Sequence, residues 1–434
     1  MRAVRRRSSV AATLVVCALA AACSSSKSGS SVSTTTPAAP SASSVATTST
    51  TSSADAVLGP LNPAKGDPVL VGLISSGKTT GIDNQIEIDV MNATVKWWNE
   101  RQGGIAGRPV KLVVCTDQAD PGKAGDCANQ LIQQNVAAAL IGSSAVVLNE
   151  WQPLHDAHIP VFTLGGSSKL YQDSTSTFSV GSPTAGIVDV AVQAAKDANK
   201  TKITAMVIDV PAATDIYKTA APLIKSTYGI DLTMVPIALG TPDMTPQAQK
   251  IVNGGDPGVV NVLGNDTFCI AAFNALRAVG YKGPITTASV CISAATLKAV
   301  PADYLKGMEL SYTGPVGDNS NPSTILYNTV MKTYETAPID LTRTTGISMF
   351  IIANALEFGV QGISGPITPA TVTATMKAMT WKLLPGAGGL HFRCNGKADP
   401  ANPGVCVPGV LISSLDATGR PTTFRLATDD PVPG

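Results

Sequence analysis

The chain has 434 residues, a formal net charge of +1, 14% charged residues and 5% aromatic residues. That balance leaves no basic surface to neutralise a phosphate backbone, so no nucleic-acid partner is expected. About 380 residues lie beyond the N-terminal segments, too many for one core and suited to two lobes.

In chain order, "MRAVRRRSSVAATLVVCALAAAC" sets Arg2, Arg5, Arg6 and Arg7 before a short apolar run, Val10 to Ala22. The run is too short to span a bilayer and has the form of an export signal over residues 1–22. Its end, "LAAAC", resembles the bacterial lipoprotein box, which implies a lipid on Cys23. Of residues 24–53, 20 are Ser or Thr. Such a tract has little to bury and stays disordered, so 23–56 is expected to be a tether reaching roughly 30 Å. No later apolar run of about 20 residues predicts another membrane span.

From residue 68 strands and helices alternate. Val69–Ser75 reads as a buried strand, and Ile82–Glu100 as a helix with its apolar face at Ile86, Val90, Val95 and Trp98. Adjacent residues on a helix face different ways, so one of Trp97 and Trp98 is expected in the core and the other at an edge. Strands at 110–116, 137–141 and 160–164 follow, separated by helices over 123–134 and 146–155, and a weak extended piece at 178–183 breaks the rhythm. The alternation restarts with a helix over 185–198 and a strand over 203–209 and runs to strands at 284–287 and 307–312. Helices over 323–333 and 344–358 come next, then a tail with β-type segments. This pattern predicts parallel sheets covered on both faces, with crossovers near 181–184 and 313.

Cys17 leaves with the signal. Of the other cysteines, Cys115, Cys127, Cys269, Cys291, Cys394 and Cys406 are even in number and exported, which suggests disulfides. Among the pairings that six cysteines allow, the three nearest-neighbour pairs are the simplest. No C-x-x-C occurs, so a zinc ribbon and thioredoxin-type chemistry are not expected.

The segments "VLVGLISSG", "NERQGGIAGRPVKLVVCTDQADP" and "ALIGSSAVVLNEWQPLHDAHIPVFTLGGSS" resemble the branched-chain amino-acid type of periplasmic substrate-binding proteins of ABC importers. The resemblance is strongest at Asn99, Gly103, Gly104, Ile105, Gly107, Arg108, Asp117, Asp120 and Pro121, and fades towards residue 425. It implies two doubly wound parallel α/β lobes joined by a hinge of crossovers, with ligand in the cleft. The divisions are lobe 1 over 68–182, lobe 2 over 183–312, a return to lobe 1 over 313–388 and a lobe 2 tail over 389–434.

Ligands of open α/β sheets sit beyond the carboxyl ends of the strands. Candidate liners are therefore Ser75, Ser76, Gly77, Ser143, Ser144, Gly165, Gly166 and Ser167 in lobe 1. In lobe 2 they are Asp209, Thr214, Asp215, Asn265, Asp266 and the stretch from Thr287 to Ser289. The resemblance implies that hydroxyls and backbone N–H groups at Ser143, Ser144, Gly166 and Ser167 hold a ligand carboxylate. The acidic partner of a ligand ammonium has no match in "TTASVCIS", which counts against an α-amino acid, because an unpaired buried ammonium is costly.

Competing motifs fail on their context. Gly72 to Thr79 matches G-x-x-x-x-G-K-[ST], and Asp209 ends a strand as a Walker B acid does. Leu73 and Ile74, however, extend the strand rather than form a loop, and ATP is not available to an exported protein. Ser75 to Lys78 fits S-x-x-K without the companion S-D-N and K-T-G elements. His155 and His158 read as surface residues rather than a metal site, and no G-x-S-x-G offers a hydrolase nucleophile. The sequence thus predicts a lipid-anchored monomer, not an enzyme and without metal or cofactor. It would trap a small amino-acid-, amide- or carboxylate-like ligand for an ABC permease. A ligand-sensing lipoprotein without an importer is the alternative, and Lys78 would at most be a rim charge.

Overall fold

A computed structural model of the chain describes residues 53–79, 83–183 and 185–427. The expected signal, Cys23 and nearly all of the tether lie outside them. Residues 53–56, expected to be disordered, open a short helix, Ser53–Leu58. Order begins early because the helix has something to bury: Leu58 is 2% exposed, and Arg101 binds Asp55 at 2.8 Å.

Five parallel strands form the first sheet: β1 (Val69–Ser75), β2 (Val110–Thr116), β3 (Ala138–Ile141), β4 (Val161–Thr163) and β5 (Thr177–Ser179), in the order β2-β1-β3-β4-β5. Buried runs such as "VLVGLIS" and "AALI" suit strands covered on both faces. The second sheet repeats the winding with β6 (Lys202–Ile208), β7 (Asp231–Ile237), β8 (Val259–Leu263), β9 (Ile285–Thr287) and β10 (Glu309–Tyr312), in the order β7-β6-β8-β9-β10. A small ribbon pairs β11 (Lys382–Leu383) with β12 (His391–Phe392). An antiparallel hairpin, β13 (Leu411–Leu415) and β14 (Pro421–Leu426), then extends the second sheet beyond β10. The structure is thus two doubly wound α/β lobes.

The chain passes between the sheets three times: after β5, after β10 and before β13. After the second passage the helices Pro322–Tyr334 and Thr344–Gly359 pack on Gln85–Trp97, the first long helix of lobe 1. Both tryptophans are buried there, which corrects the expectation of one core and one edge residue. Gln85–Trp97 is covered on two sides. Trp97 Nε1 donates to the Leu58 carbonyl and its ring meets Phe350, while Trp98 Nε1 donates to Asn354. Cys115 pairs with Cys127, Cys269 with Cys291 and Cys394 with Cys406, at Cα separations of 5.5, 5.4 and 4.4 Å.

Candidate functional site

In each sheet the winding reverses between its first and third strands, so a crevice opens beyond the carboxyl ends of β1 and β3 and of β6 and β8. Ser75 closes β1, with Ser76 and Gly77 following it into the crevice wall. All three are buried.

The Ser75 hydroxyl turns inward, donating to Glu87 Oε2 at 2.5 Å. The other oxygen of Glu87 accepts the Ser143 N–H at 2.7 Å, and Asn84 Nδ2 donates to the Ser143 carbonyl at 2.9 Å. Two residues of one helix N-terminus therefore hold the peptides on either side of the Ser143 Cα, just after β3. The clamp requires Gly142, because a Cβ there would lie 2.1 Å from the Glu87 carboxyl. Glu87 is 1% exposed, and burial raises its pKa against the opposing bonds from Ser75 and Ser143.

The other lobe 1 candidates are also engaged locally. Ser144 Oγ accepts the Val146 N–H at 3.0 Å, and Ser167 Oγ accepts the Lys169 N–H at 3.3 Å. The Gly166 N–H donates to the Tyr171 hydroxyl at 3.1 Å. Gly165 has φ +109°, and a Cβ there would strike the Tyr171 ring, so only glycine fits the turn. Beneath these loops lie two further carboxyls, Asp117 and Glu150, each 0% exposed. Asp117 Oδ1 accepts the Ala119 N–H, whereas neither oxygen of Glu150 has a hydrogen-bonding partner among the described residues. Burial first, and the neighbouring Asp117 second, push Glu150 up to about 9.

Lobe 2 presents neutral chemistry behind its strand ends. Tyr217 OH donates to Asn261 Oδ1, and Asn261 Nδ2 donates to Thr286 Oγ1 at 2.8 Å and to the Ile187 carbonyl at 3.4 Å. Asn265 caps the helix Asp266–Ala278 by accepting the Phe268 N–H at 3.0 Å, and Asp266 sits in that helix's first turn. Asp209 is exposed at the end of β6, and Asp215 pairs with Lys218 at 2.9 Å on the surface. Thr214 and Thr287 are buried, and Ser289 is exposed in the turn beyond β9.

A cavity of about 430 Å³ lies between the sheets, against the crossovers. Among the sequence candidates it takes Ser143 from lobe 1 and Ser289 from lobe 2. The remaining candidates are not among its lining residues. Its walls come mainly from three other segments: Val180 to Ser182 with Ala185 and Gly186 after β5, Ser311 to Gly314 at the end of β10, and Thr344, Thr345, Ile347 and Ser348 at the start of a lobe 1 helix. Tyr171, Leu164, Leu390 and Val410 complete it. Ser311 Oγ donates to the Gly186 carbonyl at 2.5 Å, tying two crossovers, and Thr313 and Ser348 share a hydrogen bond of 3.0 Å.

The phosphate-loop letters acquire another role. Lys78 lies on the rim with 71% of its side chain exposed, paired with Asp83 at 3.2 Å. His155 stacks on Trp151 and faces Asp156 and Asp173, and no metal-binding cluster occurs among the described residues.

Sequence reasoning missed Glu87, Glu150 and the crossover liners. A signal existed for the first two. Glu87, Val90, Met91 and Thr94 form the buried stripe of one helix, and Val147, Glu150, Trp151 and Leu154 that of another. A carboxylate within an i, i+3, i+4, i+7 apolar stripe marks a buried charge with a local purpose.

Three solved structures illustrate the likeness. An extracellular ligand-binding receptor from Verminephrobacter eiseniae ef01-2 matches with TM-score 0.60 and 19% identity, over 82% of this chain and 100% of its own. A solute-binding protein from R. palustris, solved with 4-hydroxybenzoate, matches with TM-score 0.62 and 17% identity, over 84% and 98%. The closed form of a leucine-, isoleucine-, valine-, threonine- and alanine-binding protein from Brucella ovis matches with TM-score 0.63 and 14% identity, over 85% and 97%. No curated protein matches the sequence. At these identities the structures speak for the fold, while the sequence profile described as periplasmic binding protein matches residues 68–402. With that profile spanning well over half of the chain, including the whole first sheet and β6 to β10 of the second, the chain belongs to the periplasmic binding protein family.

Proposed function

We propose that this protein is an extracytoplasmic substrate-binding protein of an ABC importer, held to the membrane by lipid on Cys23 and the tether at 23–56. It traps a small polar ligand between lobe 1 (68–182 with 313–388) and lobe 2 (183–312 with 389–434) without transforming it. The observation that carries this reading is the cavity between two oppositely placed strand-end faces, walled by the crossovers themselves. A hinge whose own residues line the cavity couples occupancy to lobe closure, because a ligand touching both lobes favours the closed arrangement. The closed form is the one that docks on the permease.

A thermal-shift screen of amino acids, amides, small carboxylates and polyols tests the reading. A ligand at 100 times its dissociation constant adds about 2.7 kcal/mol to stability. The reading fails if no probe shifts the transition and a strain lacking the protein takes up the same solutes at an unchanged rate.

A further inference from the structure

Resting on that reading, we infer that the ligand is an uncharged solute bearing hydroxyl or amide groups, and that Glu87 occupies the place a ligand carboxylate would need.

Two independent features point there. The first is the cavity lining. Among the described residues that wall it, none is Asp, Glu, Lys, Arg or His. Its polar groups are hydroxyls and backbone, interleaved with side chains such as Leu164, Ile347 and Val410. Of the charged residues at the strand ends, Lys78 pairs with Asp83 and Asp215 with Lys218, and Asp209 and Asp266 lie outside the lining. An ion entering such a cavity loses its hydration without meeting a counter-charge, whereas an alcohol or amide exchanges water for hydroxyl partners.

The second feature is the state of the lobe 1 donors. Unpaired backbone N–H groups in loops at strand ends can receive an anion. Here the Ser143 N–H is bonded to the protein's own carboxylate on Glu87 and the Gly166 N–H to the Tyr171 hydroxyl. The absence of a side chain at Gly142 is what admits Glu87 to that position. Lobe 1 thus supplies its own carboxyl, that of Glu87, where an external carboxylate would bind.

The test uses matched probes on the full chain at neutral pH: isobutyramide against isobutyrate and isobutylammonium, and erythritol against erythronate. Titration calorimetry is expected to find the neutral members binding and their charged counterparts about a hundredfold weaker. Ser289→Phe, placed on an exposed turn, is expected to block the cavity and abolish the neutral response. A charged member binding as tightly as its neutral partner overturns the inference and leaves the binding reading intact. Silence from every probe at about 10 mM, a concentration that would reveal even millimolar affinity, counts against inference and reading together. A second measurement addresses Glu87 without any ligand. Glu87→Ala is expected to melt below the parent and to regain part of the loss in acetate, which leaves the parent unmoved. Acetate shifting both proteins equally, or neither, overturns the assignment of Glu87 to the place of a ligand carboxylate.

Discussion

Behind the cleft-facing ends of β1 and β3 stand three buried carboxyls, Glu87, Asp117 and Glu150. Behind those of β6 and β8 stand Tyr217, Asn261 and Thr286, none of them charged at neutral pH. The winding of the two sheets is the same, so topology does not dictate this difference. It teaches that one scaffold can brace its ligand loops in two ways. Lobe 1 uses buried carboxyls, of which Glu87 and Glu150 have their protonation coupled to folding, and lobe 2 uses a neutral hydrogen-bond chain that runs from a helix through β8 to the first crossover at Ile187. The remaining carboxyl that burial raises, Glu357 at about 8, is also in lobe 1, on the helix Thr344–Gly359.

The sharpest way to break the contrast is pH. Folding raises Glu150 from 4.5 to about 9, so between those values the folded state keeps a proton that the unfolded state releases. The stabilising contribution is therefore full below pH 4.5 and is lost as the pH climbs to about 9, at a limiting slope of about 1.4 kcal/mol per pH unit. Glu87 and Glu357 act in the same direction. Denaturant midpoints across this window are expected to fall in the parent and to fall less steeply in Glu150→Gln. Hydrogen exchange, corrected for its intrinsic pH dependence, is expected to place the weakening in β1 and β3 and not in β6 and β8. Equal weakening of both sheets would erase the distinction.

Gly142→Ala comes next. Its Cβ collides with a buried carboxyl, so overpacking is expected to lower stability by roughly 3 kcal/mol and to displace Ser143. The neutral side is tested by Asn261→Leu, which leaves the Tyr217 hydroxyl and Thr286 Oγ1 without their partner. A loss of about 2 kcal/mol is expected, the same at low and high pH. A pH-dependent loss would mean that lobe 2 is not the indifferent half. The smallest effect belongs to Lys78→Ala. The Lys78–Asp83 pair is exposed, and the variant is expected to melt with the parent and to bind the neutral probes unchanged.

Much of the fold was legible because both lobes are built from buried parallel strands. "VLVGLIS" and "VKLVVCT" read as strands over the residues that form them, since short runs rich in β-branched and apolar residues between turn signals have few other uses. The start of the body was less legible. Ser53–Leu58 continues the run of small residues before it, and only its contacts with Trp97, Arg101 and the helix Pro322–Tyr334 give it a reason to order. The cavity was legible in part. Ser143 and Ser289 lie at strand ends, where topology points. The larger share of the wall comes from three stretches, beginning at Val180, Ser311 and Thr344, which are far apart in sequence and carry no periodic signature. Their convergence follows from the three passages between the sheets, a long-range property that a local pattern does not carry.

Those passages also set an order of assembly. The first sheet is complete at Ser179, yet the helices that cover Gln85–Trp97 arrive only at Pro322–Tyr334 and Thr344–Gly359, and the hairpin that completes the second sheet ends at Leu426. Neither lobe can bury its full core until almost the whole chain is available. A growing or partly translocated chain is therefore held open by its own topology, ready to be threaded and slow to trap itself. The interlacing that makes the hinge also defers folding until both halves are present.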